Sequence, residues 1–183
     1  MSTAPADSSV RGSALEALLV RMLHPTGRFA EELRAAGYDP SAPPLPEYPR
    51  AVWVACVQLS SRHLFPSLPP EEGMRMVGQC FVASYRQTLT GKLMSATLPM
   101  MGARTVMLRM PRVWADIQPG LRLQVKELSP CEWTFTFEEQ GLLTDFCTGI
   151  LDGVLAMVRV RNPEVMLLER APDRCVARAR WGE

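Results

Sequence analysis

The sequence predicts an α/β domain in which a helical amino-terminal half precedes an antiparallel four-stranded sheet built as strand–strand–helix–strand–strand. Three observations lead to this prediction. Apolar residues recur at helical spacing up to about residue 115. After Pro119 they alternate with polar residues, as they do in half-buried strands. A single glycine-bearing apolar segment, residues 146–160, separates two pairs of alternating stretches.

Length and composition indicate one globular domain. We predict it over residues 13–183, mainly helical over 13–115 and sheet-forming over 116–183. Residues 1–12 contain no apolar run of the kind found in signal peptides, and we predict a disordered leader there. The formal net charge of +1 gives no general attraction to nucleic acid. Because no apolar run reaches the ~20 residues of a membrane span, we expect a cytoplasmic protein.

The helical half divides into six predicted segments, at residues 13–23, 26–38, 50–65, 66–89, about 93–101 and about 104–114. Ser13 is a suitable N-cap for the first segment, and Gly37 is placed to end the second. Prolines over residues 39–49 exclude a helix or a central strand, which predicts a surface connection. Prolines and two glutamates open the fourth segment and suit the first turn of a helix.

The sheet half divides into two predicted hairpins. The stretches "LRLQVKEL" and "CEWTFTFE" alternate apolar with polar residues around Ser129 and Pro130, and "EVMLLER" and "RCVARARW" repeat this arrangement. The arginines of the last strand share a face with Arg122 and Lys126, opposite glutamates of the neighbouring strand. We therefore predict a solvated ladder of ion pairs on the outer face.

The crossover segment "FCTGILDGVLAMVRV" carries two glycines four residues apart. Gly149 and Gly153 lie on one side of a helix, together with Ala156. Because glycine weakens a helix, this stripe predicts a close approach of the helix to the large side chains of the sheet. A ligand cavity beside the glycines is the alternative.

From Leu15 to Trp181 the chain resembles a myxobacterial paralogous family of uncharacterised proteins. The run "LFPSLPPEEGMRMVGQCFVASYRQTLTGK", the later "GIL-G-L" pattern and the hairpin ending in Trp181 carry the resemblance. That family is in turn similar to four-vinyl-reductase-like small-molecule-binding domains, whose fold is shared with haem-based nitric-oxide sensors and TRAPP tethering subunits. The resemblance implies a domain that binds a small molecule or lipid or serves as an assembly platform. It implies no catalytic step.

The resemblance also places cysteines. The related domains show one cysteine before the glycine-bearing helix and two in the final hairpin; Cys147 and Cys175 match the first and last of these. The middle position, near Arg170, has none, so we predict no metal, since zinc takes three or four protein donors. The five cysteines are widely spaced without a CxxC pair and are predicted to be reduced thiols. His24 and His63 are predicted to be surface residues rather than haem ligands, and we expect no cofactor.

The predicted function is a non-enzymatic small-molecule sensor or an interaction scaffold with an apolar pocket between sheet and helices. The candidate pocket residues are Tyr85, Thr88, Met107, Trp133, Phe135, Cys147, Gly149 and Gly153. The methionines of residues 94–110 fit either an adaptable binding surface or a core. The alternative is a small enzyme that uses the Cys147 thiol, near a helix N-terminus, or the Tyr85 hydroxyl.

The third strand predicts self-association. Its "VMLL" run, residues 165–168, is apolar on both faces, which is typical of a strand covered on both sides. The crossover helix accounts for one face. The other face, with Met166, Leu168 and Val176, has no predicted cover, so we expect a homodimer that uses this surface.

Overall fold

The computed structural model describes residues 9–20, 23–87, 89–139 and 142–182. The helices are α1 (Gly12–Leu15), α2 (Gly27–Ala35), α3 (Arg50–Leu64), α4 (Pro70–Tyr85), α5 (Leu89–Ile117) and α6 (Thr144–Val158), and α1 continues as a π-helix over Glu16–Val20. The strands are β1 (Ser9–Arg11), β2 (Glu47–Pro49), β3 (Arg122–Ser129), β4 (Glu132–Glu138), β5 (Arg161–Arg170) and β6 (Arg174–Gly182). The predicted fold class is confirmed. No helix in these ranges is long and apolar enough to cross a membrane.

The predicted leader is wrong at its carboxyl end. Strand β1 pairs antiparallel with β2, and Val10 between them is fully buried. The Ser9 hydroxyl donates a hydrogen bond of 2.8 Å to the Glu47 carboxylate. Backbone pairing and the buried valine therefore hold residues 9–11 in place, while residues 1–8 lie outside the described residues.

The helices agree with their predicted positions. Gly37 lies just after the end of α2 and has a left-handed φ of 95°, which is common for a glycine that follows a helix. Helix α5 joins the two predicted amphipathic segments across Gly102, whose φ of 70° and ψ of 157° are not helical. The helical half thus follows the periodicity of the sequence closely.

The four long strands form one sheet in the order β3–β4–β6–β5, with antiparallel neighbours throughout. The predicted ion-pair ladder is confirmed in part: Arg178 pairs with Glu132 of β4 at 3.4 Å. Arg174 and Arg180, however, pair with glutamates of β5. Strand β6 has a neighbour on each side, so its arginines reach both.

The glycine stripe of α6 faces helix α4, which corrects the prediction that it faces the sheet. A Cβ atom on Gly149 would lie 1.9 Å from the Arg75 carbonyl oxygen of α4, and one on Gly78 would lie 2.3 Å from the Phe146 carbonyl oxygen. At Gly153 the nearest atom is Cβ of Val82, at 2.9 Å. Helix α6 is buried on most of its circumference. Its large apolar residues pack on the sheet, and its glycines allow the close approach of α4.

A polar clamp fixes the crossing of α4 and α6. The Arg75 guanidinium donates two hydrogen bonds to Asp152 of α6, at 2.6 and 3.0 Å, and one to the Val165 carbonyl of β5. Strand β5 is the edge of the sheet, where unpaired carbonyls invite association. Arg75 therefore joins both helices to the sheet and occupies one edge acceptor.

Aromatic side chains fill the space between helices and sheet. Trp133, Phe135 and Phe137 of β4 are fully buried. Above them, Trp53 of α3 meets Phe146 of α6 edge to face at 5.5 Å. Such pairs add to the stability given by burial alone.

Candidate functional site

The structure places four predicted pocket residues in one packed core. Met107, Trp133, Phe135 and Cys147 expose between 0% and 2% of their surfaces. They belong to the hydrophobic cluster that joins the helices to the sheet. Each has the environment of a core residue, and none borders open solvent.

Tyr85 is the exception, since it is half-buried at the end of α4. Its ring packs on Phe81 at 5.8 Å, and burial, with a smaller contribution from Asp116, raises the pKa of its hydroxyl. Thr88, the predicted neighbour of Tyr85, lies outside the described residues. Tyr85 is thus the polar group of the predicted set that stands between core and surface.

The glycines leave no room for a ligand. Atoms of α4 occupy the space that a methyl group would take at Gly149 and Gly153. The alternative of a cavity beside them is therefore wrong, because the two helices touch there.

A buried polar cluster, which the sequence analysis did not identify, lies where both halves of the fold meet. Arg50 begins α3, Gln118 follows α5, and Glu139 follows β4. The Arg50 guanidinium lies 2.6 Å from Glu139 Oε2, and the Gln118 side-chain amide donates a 2.5 Å hydrogen bond to the same oxygen. Only 12% of the Arg50 side chain and 4% of the Glu139 side chain are exposed. These residues are far apart in sequence, and no local pattern marks them as partners.

Burial dominates the electrostatics of this cluster. It raises the pKa of the Glu139 carboxyl, although the hydrogen bond from Gln118 and the charge of Arg50 act in the opposite direction. It lowers the pKa of Arg50, against the charge of Glu139. Desolvation penalises both charged forms, so each group depends on its partner to remain ionised.

Cys147 borders the same cluster. Burial raises the pKa of its thiol well above the usual range, and the charges of Cys175 and Glu139 add to this effect. Burial also raises the pKa of the neighbouring Cys175 to about 11. Both sulfurs are therefore neutral thiols, whereas a nucleophile or metal ligand is a thiolate.

A small cavity lies within the cluster. Its wall is formed by Arg50, Trp53, Trp114, Gln118, Leu121, Glu139, Leu142, Leu143, Phe146 and Cys147. The space open to the centre of a water-sized sphere is about 10 Å³. A single water molecule needs about that much, so no larger ligand fits without movement of the wall.

The two histidines are exposed, as predicted. The His63 ring stacks parallel on Phe29 with centroids 4.2 Å apart, beside an open surface groove of about 650 Å³ between α2 and α3. Within the described ranges, no three histidine, cysteine or acidic residues lie together as a metal site would require.

The predicted interface residues lie on the outer face of the sheet. Met166 is 40% exposed and Leu168 50% exposed, while Val176 on the neighbouring strand is half-buried. Arg178 borders this patch and approaches the Met166 sulfur at 3.7 Å. The three apolar side chains thus form a small patch beside the ion-pair ladder.

Comparison with known proteins gives a family and a fold. Residues 7–182 match the model of the family described as a protein of unknown function, DUF2378. No curated protein matches the chain.

Solved structures of H-NOX domains share the fold over almost the whole chain. A double variant of the Tt H-NOX domain is 14% identical with a TM-score of 0.72, over 94% of this chain and 95% of that one. A structure that probes haem distortion in the H-NOX family is 15% identical with a TM-score of 0.60, over the same shares. An oxygen-binding H-NOX domain related to soluble guanylate cyclases is 16% identical with a TM-score of 0.59, over 94% and 93%.

Proposed function

Since the chain belongs to the DUF2378 family, whose function is unknown, we propose from its fold that it is a non-enzymatic sensor module that works without haem. The main support is the H-NOX fold, which extends over 94% of the chain, together with a cavity of only about 10 Å³ where the helices meet the sheet.

A haem group does not fit the described residues. Haem needs an axial donor, usually histidine, thiolate, methionine or tyrosine, that faces a slot of several hundred Å³. Both histidines are exposed, and Cys147 and Cys175 are protonated thiols. Tyr38 is buried with a pKa raised to about 12, and Met107 is packed in the core. The groove beside His63 is open to the surface rather than enclosed in the core.

The cluster around Cys147 does not support the enzyme alternative. A thiol nucleophile needs a base and an open approach. Cys147 is 2% exposed, and the adjoining carboxylate, Glu139, is engaged by Arg50 and Gln118. The hydroxyl of Tyr85, with its raised pKa, is a poor source of a phenolate.

The ligand of this sensor is an apolar small molecule or lipid, bound on the Tyr85 side of the core. We place the ligand there because Tyr85 is a half-buried polar residue at the margin of the core, where its ring packs on Phe81. Trp133, Phe135 and Cys147 lie in the buried core. As part of the same proposal, we infer that the chain is related to the myxobacterial family, to four-vinyl-reductase-like domains and to TRAPP subunits.

Native mass spectrometry of the protein purified from its own cells tests this function. We expect one apolar organic molecule per chain and no haem. Tyr85→Ala should lower the bound fraction, whereas Leu108→Ala, at an exposed position of α5, should leave it unchanged. A stoichiometric haem complex in a haemin titration, abolished by His63→Ala, would overturn the haem-free reading.

A further inference from the structure

Two buried polar atoms of the residues that line the small cavity beside Glu139 lack hydrogen-bond partners. Glu139 Oε1 and Trp114 Nε1 are both buried and have no hydrogen-bond partner. Their residues form part of the same cavity wall. Native proteins rarely leave a buried donor and a buried acceptor unpaired, and an ordered water is a common explanation.

The chemistry of the wall defines its occupant. Arg50 and Glu139 neutralise each other, so the cavity has no net charge to attract an ion. The occupant must accept one hydrogen bond from the Trp114 indole and donate one to the Glu139 carboxylate. An ammonium ion cannot accept a hydrogen bond, a halide ion cannot donate one, and an apolar gas can do neither.

We infer that this cavity is a specific site for one water molecule, which bridges Trp114 Nε1–H and Glu139 Oε1 at the junction of α3, α5, β4 and α6. The size of the cavity supports this inference, because about 10 Å³ open to the centre of a water-sized sphere is enough for one water molecule. The water completes the hydrogen bonding of the Arg50–Glu139–Gln118 cluster.

Nuclear Overhauser spectroscopy between water and the tryptophan indole protons tests this site. Trp133 provides an internal control, because its Nε1 is also buried and unpaired but its residue is not part of the cavity wall. In the wild-type protein we expect a cross-peak to water at the Trp114 indole and none at that of Trp133. No cross-peak at Trp114, or equal cross-peaks at both, would overturn the site.

Two variants locate the water. Glu139→Gln keeps a polar group and should retain the cross-peak. Arg50→Met combined with Glu139→Leu replaces the charged pair by apolar side chains and should abolish it. If the cross-peak persists in the double variant, Glu139 does not hold the water and the inference is wrong.

Discussion

The residue that most distinguishes this core is Glu139, a carboxylate placed among tryptophan, leucine and cysteine side chains. Its partner Arg50 comes from the other half of the fold. A buried ion pair contributes little net stability when compared with apolar residues of similar size, but removal of one partner leaves an uncompensated charge. We therefore expect the cluster to contribute more to the specific docking of the two halves than to their net stability.

Mutation of the pair should show this asymmetry. We expect Arg50→Met alone to lower the free energy of unfolding by about 3–5 kcal/mol, because Glu139 then remains buried without its cation. The double variant with Glu139→Leu should recover most of this loss. Urea unfolding measures both. Arg28→Ala, which breaks the exposed pair with Glu32, is the control and should change stability by less than about 1 kcal/mol. Additive losses in the double variant would contradict the expectation.

The raised pKa of Glu139 predicts a pH dependence of stability. The folded protein holds this proton more tightly than the unfolded chain, for which the carboxyl pKa is about 4.5. The contribution of Glu139 is therefore fully present below that value and is lost as pH rises through the folded-state pKa. Relative to Glu139→Gln, the wild-type protein should lose stability over this interval and then level off, as unfolding free energies between pH 4 and pH 8 would show.

Asp39 is a control, because its contribution to stability should change with pH in the opposite direction. Hydrogen bonds from Ser41 lower the pKa of its carboxyl. Relative to Asp39→Asn, the wild-type protein should lose stability as pH falls. If Glu139 shows the same direction as Asp39, then the charge of Arg50 outweighs burial.

At the level of elements, the crossing of α4 and α6 depends on backbone contact. Ala at position 149 would drive its Cβ into the Arg75 carbonyl, so Gly149→Ala should cost about 1–3 kcal/mol or more. Gly153→Ala meets mainly the Val82 side chain and should cost less. Thermal unfolding gives the order. Gly182→Ala, whose nearest neighbour would be 3.5 Å away, should be tolerated. Equal midpoints for the variants at 149 and 182 would refute the close crossing.

The same two helices show how far a sequence determines an element's surroundings. Periodicity predicted α6, and its spacing placed Gly149 and Gly153 on one side. Spacing does not reveal which element covers that side, because α6 packs against two apolar neighbours, α4 and the sheet. Arg50 and Glu139 were missed for a related reason: each is an ordinary charged residue until the fold removes both from water. The strands were predictable because alternation records burial directly.

At the level of the whole molecule, the outer sheet face remains the predicted surface for a homodimer. Met166 and Leu168 are both exposed on β5, and neighbouring exposed apolar side chains can mark an interaction site. Leu168 is the better probe, because it lies at the irregularity between Leu167 and Glu169 and pairs with no residue of β6. A charge placed there should disturb the patch while it leaves the strand pairing intact.

Leu168→Glu should therefore convert a dimer into a monomer in light scattering at micromolar concentration, because a buried unpaired carboxylate costs several kcal/mol at an interface. Leu128→Glu is a matched control: Leu128 is 49% exposed but lies on β3, at the opposite edge of the sheet. We expect the Leu128 variant to remain dimeric. A monomeric wild-type protein would refute the dimer. A dimer that survives Leu168→Glu would move the interface away from this face.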